Sequence, residues 1–236
     1  MVGRKLKPRD KAKNDEVKSY YVSAPDKEIS SDISAKTFDI WSIIESWRKK
    51  LGIGNRLLDV GVGTGSFVYQ GFKKGYNVMG VDLLEEILQK VSTKFPELKD
   101  KLQIVNILDE KSVSAFVRKF NQFDIVTILG LVPNHAENKQ QLMTTLYNIT
   151  KFAGVNSLIV EDLILEEMYP GKPEVYWSEF THTLTSISEI GELFRKYGLR
   201  LLDAYTIHEI YPSEGEFDQE LDEHYIRVFI NKPPRK

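Results

Sequence analysis

The fold is indicated most strongly by residues 56–66, which read Arg-Leu-Leu-Asp-Val-Gly-Val-Gly-Thr-Gly-Ser. A short apolar run followed by glycines at every second position is typical of a strand that turns directly into a helix. Gly61, Gly63 and Gly65 lack side chains, so the turn can adopt positive φ and its backbone can lie close to a ligand. The free N–H groups of the following helix would point at the same place. We therefore expect a nucleotide-like ligand at this turn.

The chain on both sides of this turn alternates between strand and helix patterns. Apolar segments predict strands at Arg56–Val60, Asn77–Asp82, Leu102–Val105, Phe123–Leu129 and Asn156–Glu161. Helical spacing predicts helices at Ser66–Lys74, Leu84–Phe95, Lys111–Phe120 and Asn138–Phe152, with another from about Ser34 to Lys50. This repetition predicts an α/β fold, a doubly wound and mostly parallel sheet with helices on both faces.

The alternation changes after the fifth predicted strand. Residues 162–185 mix acids, aromatics and prolines without a clear period, which predicts an irregular lid or binding loop. A helix at Ser186–Tyr197 is followed by strand patterns at Leu199–Ile210 and His224–Asn231. Because no helix separates these last two strands, they should pair antiparallel. The acidic link between them, Tyr211–Glu223, is predicted to be an exposed loop.

Composition limits the number of domains and the class of protein. The 236 residues, of which 42% are hydrophobic, suffice for one α/β domain, which we place at residues 34–236. The absence of cysteine excludes disulfides, thiolate-bound zinc and cysteine nucleophiles, and the four dispersed histidines predict no metal site. No apolar run approaches the length of a membrane span, so we expect a soluble cytoplasmic protein.

The N-terminal residues 1–33 are predicted to form a basic, partly disordered arm. Residues 1–13 contain six lysines and arginines but a single acid, Asp10. Such a segment is either a solvated tail or an arm that contacts phosphate groups. A formal net charge of -2 argues against a nucleic-acid footprint over the whole domain, so any basic surface must be local.

Two details of the glycine turn point away from a dinucleotide. The dinucleotide fingerprint spaces its glycines as GxGxxG, and its third glycine lets helix and strand pack closely. Here the glycines stand at 61, 63 and 65, and Ser66 follows. Asp59 lies inside the end of the first strand, where the dinucleotide pattern needs no acid. An NAD-dependent enzyme is therefore disfavoured.

Leu57-Leu58-Asp59-Val60-Gly61-Val62-Gly63-Thr64-Gly65 resembles motif I of the class I S-adenosylmethionine-dependent methyltransferases. Residues 75–83 resemble the second strand of that family with its terminal acid, and residues 123–128 resemble its fourth strand. The paired last strands are similar to its seven-stranded sheet, in which the final strand is antiparallel. The resemblance covers roughly residues 52–231. It implies methyl transfer with S-adenosylmethionine as cofactor and S-adenosylhomocysteine as product.

The resemblance and the position of the second strand suggest a role for Asp82. A carboxylate at the end of this strand lies across the crevice where strand order reverses, and it can accept both ribose hydroxyls of an adenosine group. Leu83 would then lie on the adenine face. Asp82 is equally placed to cap the helix predicted at residues 84–95.

Further cofactor contacts are carried over from the resemblance. Asp59 is expected to order the turn, together with Gly61, Gly63 and Gly65, and to contact the methionine end of the cofactor. The end of the third strand should supply an adenine contact, for which Asn106-Ile107 and Leu108-Asp109 compete. Leu129, at the end of the fourth strand, should line the methyl-transfer centre with the segment that follows it.

The catalytic group is less well defined by the sequence. Methyl transfer is an in-line displacement in which the protein mainly positions the acceptor, so a base is needed only when the acceptor must lose a proton. His135 is a candidate base, with a surface or capping histidine as the alternative. Tyr21, or its neighbour Tyr20, precedes the first helix and is predicted to reach the site, and His182 is predicted to lie in the lid.

The acceptor is predicted to be a small molecule. The segment Pro133-Asn134-His135 lacks the Pro-Pro-aromatic sequence that the resemblance implies for enzymes that methylate base amines. The missing cysteine also removes the covalent route to carbon methylation of pyrimidines. Two alternatives stay open: an RNA or protein acceptor held by residues 1–13, and a non-catalytic cofactor-binding module.

Overall fold

The computed structural model describes residues 40–129, 139–164, 168–169, 172–178, 183–212 and 219–232. Its helices are α1 (residues 40–51), α2 (Ser66–Lys73), α3 (Glu85–Lys94), α4 (Glu110–Phe120), α5 (Lys139–Phe152) and α6 (Ile187–Lys196), with a 3₁₀-helix at Pro96–Lys101. Its strands are β1 (Arg56–Val60), β2 (Asn77–Asp82), β3 (Leu102–Ile104), β4 (Phe123–Leu129), β5 (Ala153–Ile164), β6 (Met168–Tyr169), β7 (Lys172–Ser178), β8 (Thr183–Ser186), β9 (Leu199–Pro212) and β10 (Gln219–Asn231).

Seven of these strands form one sheet in the order β3-β2-β1-β4-β5-β10-β9. The pairs from β3 to β5 are parallel, whereas β10 is antiparallel to both of its neighbours, β5 and β9. The predicted fold class, with its antiparallel last strand, is confirmed. The strand order reverses beside β1, so the glycine turn that leaves β1 lies at the crevice where α/β sheets bind ligands.

Two apolar cores cover the opposite faces of this sheet. Helices α1, α2 and α3 pack on one face, where the ring of Trp41 stacks on Phe67 at 4.5 Å between centroids. Helices α4, α5 and α6 pack on the other, where Phe194 meets Phe229 at 4.5 Å. Because helices cover both faces, the central strands are apolar along their length, and polar groups gather at the carboxyl ends of the strands.

The structure corrects two expectations about the second half of the chain. Residues 162–185 were expected to be irregular, but they contain β6 and β7 and most of β8, which form a separate antiparallel sheet in the order β6-β7-β8. The loop expected at Tyr211–Glu223 is too long, since β9 continues to Pro212 and β10 begins at Gln219. Both segments form strands because their backbones pair with neighbouring strands. Residue type alone does not predict that pairing.

The predicted basic arm at residues 1–33 lies outside the described residues. Among the helices that the structure describes, none combines the length and the apolar character that crossing a membrane requires.

Candidate cofactor site

The turn after β1 has the backbone that its glycines predict. Gly61, Gly63 and Gly65 adopt φ of 80°, 49° and 73°. A Cβ at Gly65 would lie 2.3 Å from Cγ1 of Val91 on α3, whereas a Cβ at Gly63 would meet no atom of the described residues within 4 Å. Gly65 therefore lets α3 pack against the turn, and Gly63 faces open space in which a ligand can approach the backbone.

Helix α2 begins directly after this turn. Gly65 is its N-cap residue and has no side chain with which to cap it. The first-turn N–H groups of a helix have no partner within the helix, and the helix dipole makes this end electropositive. The turn and the start of α2 together present backbone donors beside the end of β1.

Asp82 ends β2 and lies beside the turn. Its Oδ1 accepts a hydrogen bond from the Leu84 N–H at 3.0 Å. Burial raises the pKa of Asp82, while the backbone N–H groups of Leu84, Gly63 and Leu83 oppose that rise. The N-cap residue of α3 is Leu84, so the same carboxylate also accepts the backbone N–H at the start of this helix. The carboxylate is thus held against the glycine turn.

Apolar side chains are exposed next to this carboxylate. Leu83, directly after β2, is 56% exposed, and Ile104, which pairs with Asp82 across β2 and β3, is 54% exposed. Both residues lie at the carboxyl ends of adjacent strands, within reach of a ligand that contacts Asp82. The ends of β2 and β3 thus offer a flat ring both an acceptor and an apolar face.

The loop after β3 contains Asn106, Ile107 and Asp109. Asn106 shapes the loop, because its Oδ1 accepts from the Leu108 N–H at 2.9 Å. The backbone of Ile107 is held by helix α5, because its carbonyl accepts a hydrogen bond from Nδ2 of Asn148 at 2.7 Å. Asp109 is the N-cap of α4 and accepts from the Lys111 N–H at 2.9 Å. Asn106 and Asp109 thus both accept a backbone hydrogen bond from two residues ahead, and the adenine contact stays a prediction for Asn106-Ile107 and Leu108-Asp109.

Asp59 lies under the turn and is only 3% exposed. Thr127 stands opposite it across the β1–β4 pair, and the Thr127 hydroxyl donates to Asp59 Oδ1 at 2.7 Å. Burial raises the pKa of Asp59 to about 7, the Thr127 hydrogen bond lowers it, and the charge of Asp82 raises it further. At neutral pH this carboxyl therefore populates both its protonated and its ionised form.

The acceptor side of the site is described only in part. Leu129, half-buried at the end of β4, pairs with Asp162 on β5. The predicted catalytic residues His135 and Tyr21, and the lid residue His182, lie outside the described residues. The cofactor residues predicted on β1, β2, β3 and their following turns do converge at one edge of the sheet.

Two buried polar partners were missed by sequence reasoning. Thr127 is completely buried within the apolar strand β4, and Arg227 on β10 pairs with Glu161 on β5. The sequence signal for this buried hydroxyl is a single threonine within the strand Phe123–Leu129. No local signal joins Glu161 to Arg227, because 66 residues separate them in the chain.

Comparison with known proteins agrees with the fold described above. The family model described as "Methyltransferase domain" matches residues 57–154. A protein of Geobacillus sp. (strain WCH70) that is named as a methyltransferase is 29% identical over 129 residues, which cover 53% of this chain. The chain spans about half the length of this curated relative, of which 50% is aligned. Residues 57–154 therefore match a methyltransferase domain. Solved methyltransferases of this fold are named as S-adenosylmethionine-dependent or contain S-adenosylhomocysteine.

Solved structures share the fold of this methyltransferase domain. An S-adenosylmethionine-dependent methyltransferase from Clostridium acetobutylicum is similar with a TM-score of 0.62 and 17% identity, covering 93% of this chain and 99% of that one. The 1,6-didemethyltoxoflavin-N1-methyltransferase of Burkholderia thailandensis, solved with 1,6-didemethyltoxoflavin and S-adenosylhomocysteine bound, has a TM-score of 0.56 and 18% identity. The matched region covers 93% of this chain and 86% of that one.

Proposed function

We propose that the protein transfers a methyl group from S-adenosylmethionine to a small-molecule acceptor. The observation that carries this proposal is the position of the Asp82 carboxylate, held against Gly63 with Leu83 exposed beside it. An adenosine group needs an acceptor for its two ribose hydroxyls and an apolar face for its ring, and both are offered here. The open space at Gly63 fits a ligand that lies on the backbone.

Each residue of the site has a distinct task in this proposal. Asp82 accepts the ribose hydroxyls, and Leu83 and Ile107 contact the two faces of the adenine. Asp59 lies beneath the glycine turn, where it would face the ammonium group at the methionine end of the cofactor. When bound, the cofactor supplies an electrophilic methyl group on a sulfonium. The protein contributes mainly alignment and exclusion of water.

A small acceptor is supported by the relatives and by the second sheet. The Burkholderia thailandensis neighbour was solved with a small molecule in place. Strands β7 and β8 lie beside α6, as part of an addition that follows β5. We propose that this addition covers the acceptor, with His135 as its base if the acceptor must lose a proton and Tyr21 closing over the site.

Binding of S-adenosylhomocysteine tests the cofactor part of the proposal. A ligand that binds only the native state raises the midpoint of thermal unfolding. The wild type and Asp100→Ala, which removes an exposed carboxylate of the 3₁₀-helix, should both show this rise, whereas Asp82→Ala should lose most of it. A wild type whose unfolding midpoint stays constant at saturating ligand would refute the proposal.

A labelled methyl group tests the acceptor class. The protein is incubated with methyl-labelled S-adenosylmethionine and with three cell fractions: low-molecular-mass solutes, RNA and proteins. Label in the solute fraction is the expected result. Label in RNA that disappears on removal of residues 1–13 would instead favour the basic arm as an acceptor-binding segment. Cofactor binding without labelling of any fraction would favour a non-catalytic module.

A further inference from the structure

Thr127 and Asp59 are brought together by strand register. They are direct partners in the parallel pair β1–β4, and both side chains lie on the sheet face that packs against α1, α2 and α3. Thr127 is 0% exposed, and its Oγ1 lies 2.7 Å from Asp59 Oδ1 but 3.4 Å from the Leu58 carbonyl oxygen. A hydroxyl has one proton to donate, so the shorter contact receives it. Thr127 therefore donates to the carboxylate of Asp59.

This hydrogen bond acts on the charge of Asp59. Burial favours the protonated acid, and a donor to the carboxylate favours the ionised form. Among the described residues around Asp59, the groups that act on its charge are Asp82 on β2, whose negative charge opposes ionisation, and Thr127 on β4, which promotes it. The turn at residues 61–65 contributes no titratable side chain. Among these neighbours, Thr127 is the one that stabilises the ionised form of Asp59.

We propose that Thr127 is a positioning residue for the cofactor, whose hydroxyl orients the Asp59 carboxylate and stabilises the ionised form that a cationic ligand end requires. The inference rests on the proposed function, because it assigns Asp59 to the methionine end of S-adenosylmethionine. The protonated fraction of Asp59 must lose its proton to solvent when the cofactor binds. Cofactor affinity should therefore rise with pH through the range in which Asp59 titrates.

The test compares Thr127→Val, which replaces the hydroxyl with a methyl group, with Thr127→Ser, which keeps it. Thr145→Val is the matched control, since Thr145 is a buried threonine on α5, outside the site. The carboxyl carbon of Asp59 is followed by NMR against pH without ligand, its signal assigned by its loss in Asp59→Asn. Affinity for S-adenosylhomocysteine is measured by calorimetry at several pH values.

Loss of the hydroxyl should raise the pKa of Asp59 and weaken ligand affinity at pH 7 by about tenfold, with the difference shrinking at higher pH. Thr127→Ser and Thr145→Val should behave as wild type. An unchanged pKa in Thr127→Val, or an affinity loss equal at every pH, would overturn the inference while leaving the proposed function intact. A wild type that does not bind S-adenosylhomocysteine would overturn the proposed function first, and this inference with it.

Discussion

Arg227 lies directly opposite Glu161 across the β5–β10 pair, and its Nε and Nη2 donate to the same carboxylate oxygen, Oε2, at 2.8 and 2.5 Å. Both side chains are buried, and among the described residues Oε1 of Glu161 has no hydrogen-bond partner. Burial raises the pKa of Glu161, and the charge of Arg227 lowers it. This pair thus joins the antiparallel β10 to the parallel part of the sheet through an interaction that needs both partners.

Arg227→Met should destabilise the protein by about 3–5 kcal/mol, because it leaves the Glu161 carboxylate buried without its cation. The double replacement of Glu161 by Leu and Arg227 by Met should recover most of that loss, since two apolar side chains need no compensation. Urea unfolding followed by circular dichroism measures the free energies. A single variant as stable as the wild type would show that the ion pair does not support the β5–β10 junction.

The raised pKa of Asp59 predicts how stability depends on pH. Its folded-state pKa of about 7 lies above the ordinary value of 3.8, so the folded protein binds this proton more tightly than the unfolded chain. The resulting stabilisation is complete below about pH 4 and is lost as pH rises through about 7. It amounts to at most about 4 kcal/mol.

Asp59→Asn should remove that dependence and, without cofactor, be the more stable protein at pH 8. The measurement is the free energy of unfolding in urea at pH 5 and pH 8 for both proteins. Groups that do not interact with Asp59 titrate equally in the two proteins, so the difference between their pH slopes reports Asp59 and its charge interaction with Asp82. Equal slopes would contradict the raised pKa.

The glycines of the turn should differ in what their replacement damages. Gly65→Ala places a Cβ 2.3 Å from Val91 Cγ1 at a φ of 73°, so overpacking and backbone strain should together cost about 2–4 kcal/mol of stability. Gly63→Ala meets open space at a φ of 49° and should cost only about 1 kcal/mol, yet it should weaken cofactor binding by filling the ligand's space.

Val91→Ala is a control for the part of the Gly65→Ala stability loss that comes from overpacking. Combined with Gly65→Ala, it removes the two methyl carbons that the new Cβ would meet, so the combined loss should be smaller than the sum of the single losses. Thermal unfolding and calorimetric titration with S-adenosylhomocysteine give the two quantities. If the losses simply add, contact with Val91 is not the reason for glycine at position 65.

Substitutions at Asp109 and Asn106 should affect different properties, namely stability at Asp109 and cofactor binding at Asn106. Asp109→Ala removes the cap of α4 and should cost about 1 kcal/mol of stability with unchanged affinity for S-adenosylhomocysteine. Asp109→Asn should retain the cap and serve as its control. Asn106→Ala loses the bond that shapes the loop and should weaken affinity. The reverse outcome, with affinity lost at Asp109 and kept at Asn106, would assign the adenine contact to Asp109.

Local sequence predicts the helices and strands that lead to the site. The apolar run before Gly61, the terminal acid Asp82 and the strand Phe123–Leu129 each carry their signal within a few residues, so β1, β2 and β4 were predicted with the bounds that the structure has. The small sheet β6-β7-β8 was not predicted, because those strands depend on pairing with each other and show no clear alternation of their own.

The sequence by itself determined the glycine turn, the carboxylates on either side of it and the alternation that makes the fold doubly wound. These features depend on backbone freedom and on periodicity, which are properties of neighbouring residues. Only the tertiary structure decided that Thr127 donates to Asp59 and that Arg227 neutralises Glu161. Such partners are chosen by strand register and burial, and these arise when segments far apart in the chain pack together.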